Sequence, residues 1–154
     1  MTSVRSTSTE QTLHTGELIG SALTGGEVIA LYAPLGAGKT VIAKGIARCL
    51  DITEVVTSPT YTIISEYTGR LRLVHVDLYR VNSEEEFEQL ALDEYMGTDA
   101  VAIIEWPERA GAALPLGALR VEIAVDPSGD RIIQVPDSLA ASLPTGTKHE
   151  HSGH

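Results

Sequence analysis

Residues 27–50, EVIALYAPLGAGKTVIAKGIARCL, read as a strand, a glycine-rich turn and a helix. Val28 to Tyr32 is a short, nearly continuous apolar run, the pattern of a strand buried on both faces. The turn Ala33-Pro34-Leu35-Gly36-Ala37-Gly38-Lys39-Thr40 matches a phosphate-binding loop, except that alanine stands in place of its first glycine. After Thr40, apolar Val41, Ile42, Ile46, Ala47 and Leu50 recur at helical spacing. Gly36 and Gly38 can take backbone angles closed to other residues and let phosphate oxygens approach the chain. Successive N–H groups then form an anion-binding nest, backed by the positive end of the helix dipole. In such a loop Lys39 reaches the β- and γ-phosphates and the Thr40 hydroxyl ligates magnesium. The bland alternative is a glycine-rich helix start with an exposed Lys39.

Length and composition narrow the class. A chain of 154 residues with 43% hydrophobic content has enough apolar material for one domain with a proper core. We assign residues 1–135 to a single domain and residues 136–154, rich in Ser, Pro, Gly and His, to a disordered tail. The histidines of that tail are too irregularly spaced for a metal site. No run has the length of a membrane span and MTSVRSTSTEQ lacks an apolar signal core, so a cytoplasmic location is expected. The single cysteine, Cys49, excludes a disulfide framework within the chain and reads as a small buried apolar residue. Eleven basic residues against twenty-one acidic ones give a net charge of −10, which argues against direct nucleic-acid binding. A protein partner with a basic surface fits that charge better.

Around the loop the pattern is that of an α/β protein. Residues 1–8 are polar and read as loose, and residues 9–23 as a helix stopped by Gly25-Gly26. Residues 61–67 and 71–77 form a hairpin about Thr68-Gly69-Arg70, with Leu71, Leu73, His75 and Asp77 on one face of its second strand. Asn82 or Ser83 caps a helix over residues 84–90, whose Glu84-Glu85-Glu86 start suits the dipole and reads as a solvated face or a partner patch. DAVAIIEW (residues 99–106) is a second buried strand, ended by Pro107 with a helical turn at 108–110. Residues 119–125 and 131–135 are strands joined at Asp126-Pro127-Ser128-Gly129-Asp130.

Magnesium-assisted phosphoryl chemistry needs the loop, a carboxylate on the metal side and a group that orients the nucleophile. Asp77 and Glu105 each end a core strand, where open α/β sheets gather ligand-binding residues. One could hold magnesium while the other orients or deprotonates water; which does which stays open. Thr60 is a switch hydroxyl or a turn residue, and His75 a support for the site or a structural histidine. Arg80 and Arg109 could neutralise phosphate, though each reads first as a salt-bridging arginine. Trp106 reads as packing rather than nucleotide stacking.

PLGAGKT, SPTYTIISEY, HVDLYR, LDEY and IIEWPERAGAALP occur in that order, and together they resemble the TsaE family, formerly YjeE. The resemblance covers roughly residues 9–131. It implies an α/β, P-loop NTPase-like three-layer sandwich with a mixed parallel and antiparallel sheet. It also implies a cytoplasmic ATPase of tRNA threonylcarbamoyladenosine biosynthesis that binds ATP or ADP with Mg2+. Such a protein hydrolyses slowly alone and works with TsaB and TsaD, which handle the tRNA. On this resemblance Leu35, Gly36, Ala37, Gly38, Lys39, Thr40 and Val41 cradle the nucleotide and Asp77 is the Walker B-like acid. Glu105 and Trp106 line the magnesium and γ-phosphate region, with Thr40, Asp77 and Glu105 as the metal set. Thr9 and Gln11 lie near the adenine, Arg131 contacts the nucleotide, and residues 58–60 are switch-like. Ala33-Pro34 departs from the family's usual glycine and aspartate, and Asp130 falls where some members are basic, so the loop entrance is expected to differ. Alternatives are a nucleotide-gated interaction module and a small kinase. The absence of an Asn-Lys-x-Asp motif disfavours a GTPase.

Overall fold

The apolar run forms strand β2 (Val28–Tyr32), the centre of a seven-stranded mixed sheet ordered β1-β7-β6-β2-β5-β4-β3. The computed structural model describes residues 1–57, 63–141 and 143. Before β2 come β1 (Thr2–Ser6) and helix α1 (Thr9–Ser21); after it comes α2 (Lys39–Cys49). The hairpin β3 (Ile64–Tyr67) and β4 (Arg72–Asp77) is followed by two short helices, α3 (Glu84–Gln89) and α4 (Leu92–Tyr95). Then come β5 (Ala100–Glu105), a 3-10 segment (Pro107–Ala113), β6 (Leu119–Val125) and β7 (Arg131–Val135). Strands β6, β2, β5 and β4 run parallel, and β7, β1 and β3 close the two sides antiparallel.

Alternation along the parallel strands divides the core in two. Ile29, Leu31, Leu73, Val101, Ile103 and Val121 face α1 and α2, while Val74, Val76, Ala100, Ala102 and Ile104 face α3, α4 and the 3-10 segment. That is a three-layer α/β/α sandwich. The two helices on the first face approach closely through glycine. A Cβ on Gly45 of α2 would lie 2.2 Å from the Leu13 carbonyl oxygen of α1, and one on Gly16 would lie 2.5 Å from the Ile42 carbonyl oxygen. Among the described residues no helix is long and apolar enough to cross a membrane.

Three expectations need correction. Residues 1–8 are not loose, because β1 pairs antiparallel with β7 and buries Thr2, Val4 and Ser6. Val4 is the only aliphatic residue on that inward face, so the alternation carried little apolar signal. The chain does not lose order at Pro136. Asp137–Leu139 make a 3-10 turn, Leu139, Ala140 and Leu143 are buried, and Asp137 accepts a hydrogen bond from the Thr2 hydroxyl at 2.9 Å. Cys49, at the end of α2, is half-buried rather than buried. The start of the first hairpin strand at Tyr61, and Ser58-Pro59-Thr60, lie outside the described residues.

Candidate nucleotide and catalytic site

The loop between β2 and α2 takes its shape from two glycines. Ala37 N–H donates to the Pro34 carbonyl at 3.2 Å, closing a four-residue turn with Gly36 in third place at φ 79°. A type II turn requires that left-handed angle there, which glycine adopts without strain. Gly38, at φ 104° and ψ 24°, then caps α2, so Lys39 and Thr40 open the helix where its dipole is positive. Ala33 is not among the residues with positive φ. The one position where the loop departs from the glycine pattern is thus one where no left-handed angle is needed.

Lys39 is 7% exposed, and its Nζ has no hydrogen-bond acceptor among the described residues. Instead it sits 4.1 Å from the centroid of the Trp106 ring, a contact in which the ring face attracts the cation. Trp106 follows β5 directly and is held in the left-handed region at φ 57° and ψ 47°. For a bulky non-glycine residue ahead of a proline this is strained, by about 1–3 kcal/mol. Tyr79 packs on the same indole with ring centroids 5.1 Å apart. The indole packs against the loop lysine and Tyr79.

Asp77 and Glu105 are register partners on neighbouring parallel strands, and Glu105 also pairs with Leu31 of β2. Neighbouring strands lie roughly 4.8 Å apart, so both carboxylates stand side by side below the loop. Glu105 is 2% exposed, and His75 Nε2 pairs with its Oε2 at 2.5 Å. The His75 ring is fully buried, with Nδ1 lacking a hydrogen-bond partner among the described residues. Its visible role is therefore to hold the Glu105 carboxylate. Asp77 is half-buried. Desolvation, followed by the charge of Glu105, pushes its carboxyl above the usual range, while the Tyr79 N–H at 3.0 Å and the charges of Lys39 and His75 oppose the rise.

On the α1 side of the loop lies a cavity of about 350 Å³, lined by residues including Thr9, Thr12, Gly38, Val41 and Arg131. That is within the range of small-molecule sites, and its hydroxyls suit a polar heterocycle. Lys39, Asp77 and Glu105 do not line it, so the carboxylates lie outside the cavity. Gln11 is not brought to it. Its Oε1 accepts from the Thr7 N–H at 2.7 Å, while its own N–H is capped by Ser8. Leu35 stands 80% exposed at the loop tip. Arg109 donates to the Val81 carbonyl at 3.5 Å and lies 5.9 Å from the Tyr79 ring centroid. Arg80 is exposed. Ser83 caps α3, and Glu84 of the acidic triplet accepts from the Ala112 N–H at 3.0 Å, a tie to the segment after Trp106. Asp130 pairs with Arg5 at 2.9 Å. Ser6, whose hydroxyl meets that of Thr12 at 2.6 Å in the cavity wall, was hidden with β1, and Thr12 because one polar residue on an expected helix carries no signal of its own.

Comparison with known proteins places the chain among relatives of one family. A family model described as threonylcarbamoyl adenosine biosynthesis protein TsaE matches residues 6–133. The tRNA threonylcarbamoyladenosine biosynthesis protein TsaE of Treponema pallidum is 39% identical over 130 residues, covering 84% of this chain and 96% of that protein. Its namesake in Bacillus subtilis is 41% identical over 127 residues, 82% of this chain and 78% of the relative. Among solved structures, the crystal structure of Bacillus subtilis YdiB matches with a TM-score of 0.76 at 32% identity, over 96% of this chain and 95% of that one.

Proposed function

This chain belongs to the TsaE family of tRNA threonylcarbamoyladenosine biosynthesis proteins, and on that premise we propose that it is an ATPase that works by binding ATP with magnesium at the Ala33–Thr40 loop. The observation that carries the reading is the buried Lys39 ammonium. Among the described residues it lacks a hydrogen-bond acceptor; it opens α2, and its charge acts on Asp77, the register partner of Glu105. An anionic oxygen supplies what that ammonium lacks, and the N–H groups of the loop would cradle the remaining phosphate oxygens.

The donor set fits magnesium. Among the described residues no group of three His, Cys, Asp or Glu could hold a metal by itself. Magnesium is usually held by one or two carboxylates together with substrate phosphates, and Thr40, Asp77 and Glu105 would supply the protein's share. Bound there, the ion would neutralise charge on the phosphates. The chain's own residues do the rest. Lys39 holds the outer phosphates, Asp77 and Glu105 orient the attacking water and accept its proton, and His75 keeps Glu105 in place. The cavity beside Thr9 and Val41 receives the base.

Hydrolysis is slow alone and rises when TsaB- and TsaD-like partners complete the site. A partner-supplied arginine is worth about 10³–10⁵ in rate, and the net charge of −10 favours leaving tRNA to those partners. Calorimetric titration with MgATP and turnover assays test the proposal together. Lys39→Ala should lose ATP binding, and Glu105→Gln should bind ATP yet lose turnover, with and without partners. Wild-type affinity in Lys39→Ala would remove the site assignment, full turnover in Glu105→Gln would remove Glu105 from catalysis, and ATP binding without turnover in the wild type, with and without partners, would leave only a nucleotide-gated binding module.

A further inference from the structure

Arg131, the first residue of β7, reaches across to the phosphate loop, which is distant in sequence. Its Nε donates to the Ala37 carbonyl at 2.9 Å and one Nη to the Gly36 carbonyl at 3.3 Å, while the other Nη donates to Gly129 at 2.6 Å. We infer that Arg131 is a positioning residue: it sets affinity for the phosphate part of the nucleotide by clamping the loop's carbonyls, not by contacting the base. The inference rests on the nucleotide reading above.

The argument is one of peptide geometry. In a trans peptide the carbonyl and the following N–H point in opposite directions. Pinning the Gly36 and Ala37 carbonyls toward the guanidinium therefore turns two N–H groups away from it: that of Ala37, which closes the turn on the Pro34 carbonyl, and that of Gly38. Gly36 has nothing within 4 Å of where a Cβ would stand, so neighbouring side chains do not brace it. Glycine without such support samples many backbone states, and the fork of the guanidinium supplies the missing restraint. The anchor is itself framed. Asp126 Oδ1 accepts from the N–H groups of Ser128 and Asp130, both at 3.0 Å, and Arg5 ties Asp126 to Asp130. Among the described residues Arg131 has no carboxylate partner, so its charge stands behind the loop without local neutralisation.

The test is calorimetric titration of the full chain with ADP, GDP and inorganic tripolyphosphate for wild type, Arg131→Gln, Arg131→Lys and Lys39→Ala. Arg131→Gln should weaken ADP and tripolyphosphate by the same factor, about tenfold or more for loss of charge-assisted bonds, with the ADP to GDP preference unchanged. Arg131→Lys should recover little, because one ammonium cannot span two carbonyls in the geometry of a fork. Amide hydrogen exchange in Arg131→Gln should quicken at residues 36–38 without a change in the sheet. Loss confined to ADP, or an altered base preference, would overturn the inference in favour of direct base contact. Unchanged affinities would overturn it outright. If Arg131→Gln lowers the melting temperature, Arg131→Lys, which keeps charge and stem, carries the same comparison. Wild-type tripolyphosphate binding in Lys39→Ala would instead bring down the nucleotide reading, so the two failures are distinguishable.

Discussion

Gly45→Ala sets two familiar effects against each other, and the helix contact decides between them. Gly45 lies inside α2, where alanine is intrinsically better than glycine by about 1 kcal/mol. The new methyl, however, would stand 2.2 Å from the Leu13 carbonyl oxygen, and 2.9 Å from both the Glu17 nitrogen and the Gly16 Cα. Ordinary carbon–oxygen contacts begin near about 3.3 Å, so α1 and α2 must part by roughly 1 Å. A gap of that size forfeits about a quarter to a half of each dispersion contact across the seam. Overpacking of this kind costs about 1–3 kcal/mol, and a backbone obstruction on both sides places the site at the upper end. The net expectation is destabilisation by about 2 kcal/mol. For a domain of this size that lowers the melting temperature by roughly 4–8 °C.

The same displacement has a functional consequence. Thr12 of α1 lies near Gly38, where a Cβ would stand 3.7 Å from its methyl, and Thr12 walls the cavity beside the loop. Parting the helices should therefore weaken nucleotide binding along with the fold. Thermal unfolding and ADP titration of Gly45→Ala measure both effects, with Gly117→Ala as control, since a Cβ there meets nothing within 4 Å. Equal melting temperatures for the two variants would refute the reasoning, because the helix-propensity gain would then have gone unopposed.

Two further outcomes follow from charge. In Asp77 the native carboxyl holds its proton more tightly than the unfolded chain, so its contribution to stability falls as pH rises from 3.8 through the raised native value. Asp77→Asn should consequently melt higher than wild type at pH 7, converge with it below pH 3.8 and lose ATP turnover; an equal or lower melting temperature at pH 7 would count against the burial argument. Asp126 is depressed to about 2, first by the Ser128 hydroxyl and then by Arg5, so its stabilisation is complete above 3.8 and is lost as pH falls through about 2. Arg5→Gln should raise the Asp126 value part of the way toward 3.8 in a carboxyl NMR titration, and no movement would show that Arg5 does not hold that turn.

Sequence patterns reach as far as local chemistry reaches. The strand, turn and helix at residues 28–50 were legible because glycines, an apolar run and a helical period act within a few residues of one another. Strand β5 was legible for the same reason, and so was the strand-end position of Asp77 and Glu105. Their adjacency was not, because it depends on β4 pairing in parallel with β5 at one register. A one-residue slip would have sent one of the two carboxylates to the opposite face. Strand β1 was missed for lack of apolar side chains, and the close helix contact because Gly16 and Gly45 signal only when both helices are seen together. Gly16 and Gly20 stand four apart on α1, a small-residue spacing that marks one face of that helix as open to close approach. The family resemblance pointed to Arg131 as a nucleotide contact, but its grip on the loop left no signal, since its partners are backbone carbonyls, which every residue carries.

The penalties in this structure gather at one place. Left-handed Trp106, the Lys39 ammonium without an acceptor among the described residues, the buried His75 Nδ1 and the raised Asp77 carboxyl all lie where β2, β4 and β5 end below the loop. The supports lie around them: glycine-packed helices on one side, the Arg131 clamp on another, and Glu84 bonded to Ala112 behind Trp106. Strain persists only where the surroundings over-determine it, and here the surroundings are specific enough to name. Ala33-Pro34 belongs with the supports, because the left-handed angles fall later, at Gly36 and Gly38, and the Pro34 carbonyl receives the turn's hydrogen bond. The departure from glycine at the loop entrance leaves the cradle itself intact. What distinguishes this site from a generic phosphate loop is therefore the ring of carboxylates, imidazole and indole below it.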